Sequence, residues 1–170
     1  LISQIKGLKN KDYDTLAHEI ANTITVNKSM AVVLGVGPLL AINTLYTVYF
    51  YSANALTGDY WILVIPTVIS AFLLTYVHKY LWHKMERVKA LHIMVSALAN
   101  ALFLFIPLIF LTNINLMLFP DTWTTIKGFW DGLFHVGNPF PRYFHFLAAC
   151  FALTGLFMVW MFRRMDEEEI

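Results

Sequence analysis

Four long runs of uncharged, apolar residues decide what this chain can fold into. They run from about Ser29 to Ala53, Tyr60 to Val77, Leu91 to Leu111 and Tyr143 to Phe162, and none holds Asp, Glu, Lys or Arg in its interior. Each has roughly the 20 residues that a helix needs to cross a hydrocarbon core about 30 Å thick. Hydrophobic residues make up 58% of the 170 residues, more than one soluble core of that size could hide. The expected fold class is therefore all-α integral membrane, a four-transmembrane-helix bundle over residues 29–162 with spans at about 29–53, 60–77, 91–111 and 143–162. Pro38, Pro66 and Pro107 do not oppose this, because neighbouring helices can re-satisfy a freed carbonyl inside a bundle.

Charge orients the bundle. Lys6, Lys9, Lys11 and Lys28 precede the first span, Lys79, Lys84, Arg87 and Lys89 lie between the second and third, and Arg163 and Arg164 follow the fourth. The other two connections hold only Lys127 and Arg142, so the positive-inside rule predicts that both termini are cytoplasmic. An even number of spans requires the same. Trp82 and Trp160 then mark the inner interface, and Trp61, Trp123 and Trp130 the outer one. Residues 1–28 become a cytoplasmic lead-in and 163–170 a cytoplasmic end, with Asp166 to Glu169 solvated. The chain opens on Leu1 with no signal-type region, and we expect it to be a portion of a longer protein. A net charge of +1 argues against nucleic acid as a partner, and a single cysteine, Cys150, excludes an intrachain disulfide or a multi-cysteine metal site.

Two segments have amphipathic rather than spanning character. Asp12 to Asn27 places Leu16, Ile20 and Ile24 at helical spacing. Residues 122–134, after Pro120, place Trp123, Ile126, Trp130 and Phe134 in the same rhythm, which predicts an aromatic-faced interfacial helix at the outer mouth. That helix either anchors on lipid or a partner, or shapes a binding site.

Imidazole is a common haem ligand, so the six histidines are the natural places to look for chemistry. His78 and His83 flank Trp82 in the inner loop and read as ordinary interfacial residues, His18 falls in the amphipathic lead-in, His92 begins the third span near the cytoplasmic face, and His135 falls in the outer loop. His145 stands apart, about one turn inside the outer end of the fourth span. Ala148, Ala149, Ala152 and Gly155 follow it at i+3, i+4, i+7 and i+10, a strip of small side chains on the same helix face. A flat porphyrin needs one ligand nitrogen with no bulk beneath it. Close helix packing without any cofactor accounts for the same strip. On the outer side His135 is a conceivable second ligand, whereas His92 lies at the opposite face.

The spans contain no carboxylate, which leaves no buried proton relay and disfavours a transporter. Asn43 with Thr47, and Ser96 with Asn100, form i, i+4 polar pairs expected to hydrogen-bond between helices.

The segment NPFPRYFHFLAACFALTGLFMVW resembles the fifth membrane helix of cytochrome bd quinol oxidase subunit I, in which a histidine binds the low-spin haem b near the outer face. In the same order, VVLGVGPLLAINTLY resembles that subunit's second helix, and LWHKMERVKALHIMVSALANALFLF its inner loop and fourth helix. The resemblance implies a haem b cofactor held by His145, quinol as substrate, and the bacterial cytoplasmic (inner) membrane as location. Tyr60 to Val77 departs from the family in lacking the glutamates of its third helix. The family's first helix and its methionine ligand have no counterpart in these residues. The expected function is thus a haem-bearing membrane subunit of a quinol-linked respiratory electron-transfer complex, part of a quinol oxidoreductase. Its partners would be other membrane subunits, lipid, and a c-type cytochrome at the outer face. Trp123, Trp130 and Phe134 are the candidates for a quinol site. The alternative is a cofactor-free transmembrane anchor.

Overall fold

A computed structural model describes residues 2–7, 13, 16–21, 28–82 and 89–168, and every regular element among them is a helix. The order is α1 (Ile2–Gly7), a short helical stretch at 16–21, α2 (Lys28–Leu45), α3 (Thr47–Leu56), α4 (Gly58–Tyr80), α5 (Lys89–Leu118), α6 (Phe129–His135) and α7 (Pro139–Glu168). A single 3-10 turn, Pro120–Thr122, follows α5. Of the expected lead-in helix at 12–27, only Tyr13 and 16–21 are among the described residues, and His83 lies outside them.

Three helices are long and apolar enough to cross a membrane, Gly58–Tyr80, Lys89–Leu118 and Pro139–Trp160 within α7. Their large apolar side chains point outward. Ile62 is 70% exposed, Phe151 68% and Leu153 69%, which in water would leave an extensive uncovered apolar surface. Length, composition and this inverted burial suggest a membrane-embedded, multi-pass protein.

The first apolar run is bent. α2 and α3 meet at Tyr46, whose backbone (φ −121°, ψ 36°) leaves the helical region. Hydrogen bonding nevertheless continues through the bend, from Tyr46 N–H to the Ile42 carbonyl (2.9 Å) and from Phe50 N–H to the Tyr46 carbonyl (2.8 Å). The Thr47 hydroxyl donates to the carbonyls of Asn43 (2.9 Å) and Thr44 (3.1 Å), and Thr44 donates to Leu40 (2.9 Å). Hydroxyls that engage carbonyls one turn back bend helices.

The same habit corrects the expected pairing of polar residues across the bundle. The Thr47 hydroxyl donates to the Asn43 carbonyl and Asn100 Nδ2 to the Ser96 carbonyl (2.8 Å), so these two side chains bond one turn back along the chain and not across the bundle. Thr57, Thr67, Thr75, Thr112 and Thr154 also donate to the carbonyl four residues back. A short hydroxyl reaches its own helix without any partner, whereas an interhelical bond requires two helices in register. Bonds between elements come from longer or better-placed groups. Asn113 donates to Asn54 Oδ1, Asn115 to the Val136 carbonyl, and Tyr143 Oη to the Leu104 carbonyl at 3.0 Å.

α5 is the hub. It packs against α3, α4, α6 and α7, with α4 along most of its length through Phe72–Phe103 and Trp61–Phe110 edge contacts at 5.4 and 5.1 Å. Its 30 residues would rise about 45 Å, beyond the hydrocarbon thickness. The excess is the last turns, where Thr112, Asn113, Asn115 and Leu116 are fully enclosed by α3 and the 119–138 connection.

That connection also differs from expectation. The interfacial helix predicted over about 122–134 is confined to Phe129–His135. Pro120 starts a single 3-10 turn instead, and Gly128 (φ 156°, ψ −170°) breaks the helical path in a region essentially open only to glycine. Gly137 (φ 60°) makes the turn into α7, and a Cβ there would lie 2.8 Å from both Asn115 Nδ2 and Phe119 Cε2.

Gly137→Ala should therefore destabilise the protein by about 1–3 kcal/mol. In detergent this should lower the thermal midpoint by several degrees, while Gly35→Ala, whose Cβ meets nothing within 4 Å, should leave it nearly unchanged or raised.

Candidate functional site

At the end of the bundle formed by the 119–138 connection, aromatic groups are fastened by their polar atoms. Trp123 Nε1 donates to the Leu116 carbonyl at 2.9 Å, and its ring meets Tyr49 edge-on at 6.0 Å. Trp130 Nε1 donates to Tyr60 Oη at 2.6 Å, while Tyr60 stacks on Phe129 at 4.4 Å. Phe134 stacks on Trp130 at 6.2 Å and approaches Phe140 at 5.7 Å. The structure thus brings Trp130 and Phe134 together against α4 and the start of α7 and sets Trp123 apart, against α3. Asp131, in the first turn of α6, accepts the Lys127 N–H (3.0 Å) and pairs with His135 Nδ1 (2.8 Å), which suits the positive end of a helix. Trp130 and Phe134 are 50% and 61% exposed, so they form an open aromatic ledge rather than an enclosed pocket.

His145 lies on α7, which is fastened to α5 near its start by the Tyr143 hydroxyl. Its side chain is exposed, as are Ala148, Ala149, Ala152 and Gly155. A Cβ built on Gly155 meets nothing within 4 Å. The spanning part of α7 buries none of its most apolar window inside the chain. His145 has no hydrogen-bond or ring partner among the described residues, and His135 is occupied with Asp131. These residues can present one imidazole nitrogen and a flat floor to a planar group. They offer no enclosing wall, and no group of three His, Cys, Asp or Glu gathers among the described residues.

The opposite, basic end holds a cluster that residue spacing along the sequence did not reveal. His92 (6% exposed) stacks on His78 at 4.2 Å, with their planes 15° apart. Trp82 stands edge-on to both rings, at 4.7 Å from His92 and 5.3 Å from His78, and His18 lies 5.0 Å from Trp82. His92 Nε2 is 2.9 Å from the His78 carbonyl, which can only accept, so Nε2 carries the proton. Gln4 Nε2 is 2.9 Å from His92 Nδ1 and can only donate, so Nδ1 is the acceptor. Gln4 Oε1 then faces His78 Nε2 at 3.2 Å, and that nitrogen must donate. One glutamine thereby fixes the tautomers of two histidines and ties α1 to α4 and α5. To the expected place of His78 beside the inner loop and of His92 at the start of the third span, the structure adds this shared network. Both sit in this network because α4 and α5 are antiparallel neighbours whose basic ends meet. The sequence signal was present in the i, i+4, i+14 grouping of His78, Trp82 and His92, but only helix pairing puts the three side by side.

His92→Ala would leave Gln4 Nε2 and the His78 carbonyl without partners, a loss of about 1–3 kcal/mol. We expect faster tryptic cleavage at Lys6, as α1 is freed, and a lower thermal midpoint, with His92→Gln intermediate in both. Comparison with family models, with curated proteins and with solved structures finds no match to this chain, so its function is read from the residues themselves.

Proposed function

We propose that this chain is a haem b-bearing membrane subunit of a quinol-linked respiratory complex in a bacterial cytoplasmic membrane, similar to cytochrome bd subunit I. In this reading α2 with α3 forms the first crossing, α4, α5 and α7 the other three, and both termini are cytoplasmic. The cations at the ends of α4, α5 and α7 support that orientation. The basic end is then the inner one and the aromatic end the outer.

The observation that carries the proposal is the face of α7. An imidazole on a membrane helix costs free energy unless it is used, and His145 is presented outward above a strip that offers no steric obstacle. His145 would supply one axial nitrogen, and Ala148, Ala149, Ala152 and Gly155 the clearance for a planar ring. A haem held there would accept and release single electrons. The second ligand and the covering wall would come from a neighbouring membrane subunit, which also explains why α7 is left bare within this chain. Trp130 and Phe134 would form an apolar edge for a quinol ring at the outer interface, and Trp123 would keep the 119–138 connection closed on α5. Electrons would pass onward to a partner at the outer surface such as a c-type cytochrome.

The bare face of α7 favours a second reading as well. A cofactor-free anchor that buries this face on another subunit needs the same small residues for close helix contact.

The two readings part in a reduced-minus-oxidised visible spectrum of the detergent-solubilised complex. A b-type α band should be present, and His145→Leu should abolish it while leaving helical content and subunit assembly intact. A band that survives the substitution removes His145 as ligand. A featureless spectrum from assembled wild-type complex makes the chain an anchor.

A further inference from the structure

Among the described residues, one side chain hydrogen-bonds α1 to the rest of the basic end. Gln4, 5% exposed, meets His92 Nδ1 on α5 at 2.9 Å with one end of its amide and His78 Nε2 on α4 at 3.2 Å with the other. The two isoleucines of α1 contribute little burial, since Ile2 is 66% and Ile5 48% exposed. Beside α1 lies a cavity of about 200 Å³, shared with the helical stretch at 16–21, α4 and α5. Ser3 and Gln4 form its α1 wall, Ala99 and Phe103 give it apolar surface, and Thr75 and Ser96 give it polar surface. The proposed electron-transfer role uses neither the cavity nor these histidines.

The chemistry of an amide limits the charge that this cluster can carry. One end of the amide donates and the other accepts, so of the two ring nitrogens facing Gln4 one must be bare and the other protonated. In the arrangement above the bare nitrogen is His92 Nδ1; if the amide turns over, it is His78 Nε2 instead. A ring with a bare nitrogen carries no charge, so the intact network accommodates at most one imidazolium in either arrangement. The stack sets the same limit, because rings 4.2 Å apart and 15° from parallel would bring two positive charges face to face. The surroundings do not offset a second charge. Lys6 on α1, Lys79 on α4 and Lys89 on α5 are cationic, the 16–21 stretch adds His18, and Glu19 is the one carboxylate among these residues.

We propose that α1 is a latch over this cavity that acid releases. When both histidines are protonated, two N–H groups face an amide that can accept only one of them. The tie to the other ring is lost, repulsion within the stack parts the rings, and α1 detaches, taking the Ser3 and Gln4 wall of the cavity with it. The sign follows from proton binding. Attached α1 permits one charged ring in the pair and detached α1 permits two, and the state that binds more protons gains as pH falls. One extra proton makes the ratio of detached to attached α1 rise by up to about tenfold per pH unit. Neither the latch nor its test depends on the haem or quinol reading.

The test places spin labels at Ile2→Cys on α1 and Met94→Cys on α5, both exposed positions, in a Cys150→Ser background, with the protein and its native partners in lipid nanodiscs. Pulsed-EPR distances are recorded from about pH 8 to about pH 4.5, a range that brackets the ordinary imidazole titration near 6.5. One narrow distance is expected at the alkaline end. A broad, longer component should grow reversibly toward acid, by up to about tenfold in ratio per pH unit. His78→Gln offers Gln4 an amide N–H but takes up no proton, so its α1 should stay attached throughout. Gln4→Glu separates the latch from general loosening in acid. A carboxylate accepts from both rings, so a fall in pH through the imidazole range should tighten α1 in this variant rather than release it. A distance distribution that does not change with pH in the parent protein overturns the proposal, and so does acid release of the same steepness in either variant. If His78→Gln fails to hold α1 at the alkaline end, the parent scan and Gln4→Glu decide between the outcomes.

Discussion

A polar group in hydrocarbon has no water to turn to, and the arrangement of this protein follows from where each such group finds a partner. Among the described residues seven threonines solve the problem locally by donating to the carbonyl four residues back, and α2 bends where Thr44 and Thr47 crowd the Tyr46 turn. Residues that cannot solve it locally are gathered at the two ends of α5. At one end are Asn113 with Asn54, and Asn115 with the Val136 carbonyl. At the other end is the Gln4–His78–His92 network. Between them α5 meets α4 through aromatic edges, Phe72 on Phe103 and Trp61 on Phe110. The hub is apolar in the middle and polar at both ends, which is what a helix longer than the bilayer is thick requires.

The distribution of packing has a functional consequence. α4 and α5 form a tight antiparallel pair, whereas α7 touches α5 near its start and exposes the rest. A helix with that much uncovered apolar surface and a lone imidazole is suited to contact with a cofactor or a second subunit, and less to closing a bundle. The aromatic ledge of Trp130 and Phe134 stands at the mouth of that face, because the Trp130 indole is fixed on Tyr60 and Phe134 reaches Phe140. The electron-transfer reading and the anchor reading share this geometry and differ only in what lies against it.

Particular residues show how far local pattern carried. The apolar runs 60–77, 91–111 and 143–162 lie within α4, α5 and α7, but each helix is longer than its run. Helical hydrogen bonding continues past the apolar stretch to Tyr80 in α4, to Leu118 in α5, just before Pro120, and to Glu168 in α7. The aromatic rhythm from Trp123 to Phe134 suggested one interfacial helix, yet Pro120 and Gly128 set backbone angles that spacing cannot anticipate. His145 and its small-residue strip were visible because they lie on one helix, with a period of 3.6. His78, Trp82 and His92 were not, because their contact depends on two helices meeting in one register.

Sequence by itself therefore determined the helical class, the apolar stretches that fit a membrane and the composition of each helix face, since these depend on residues near one another in the chain. Tertiary structure alone decided which polar groups meet, that Trp123 parts from Trp130, that the His145 face stays open, and that a cavity with both polar and apolar walls forms at the basic end. Those outcomes depend on helix pairing and on the turns at Gly128 and Gly137, where one backbone angle redirects every residue that follows.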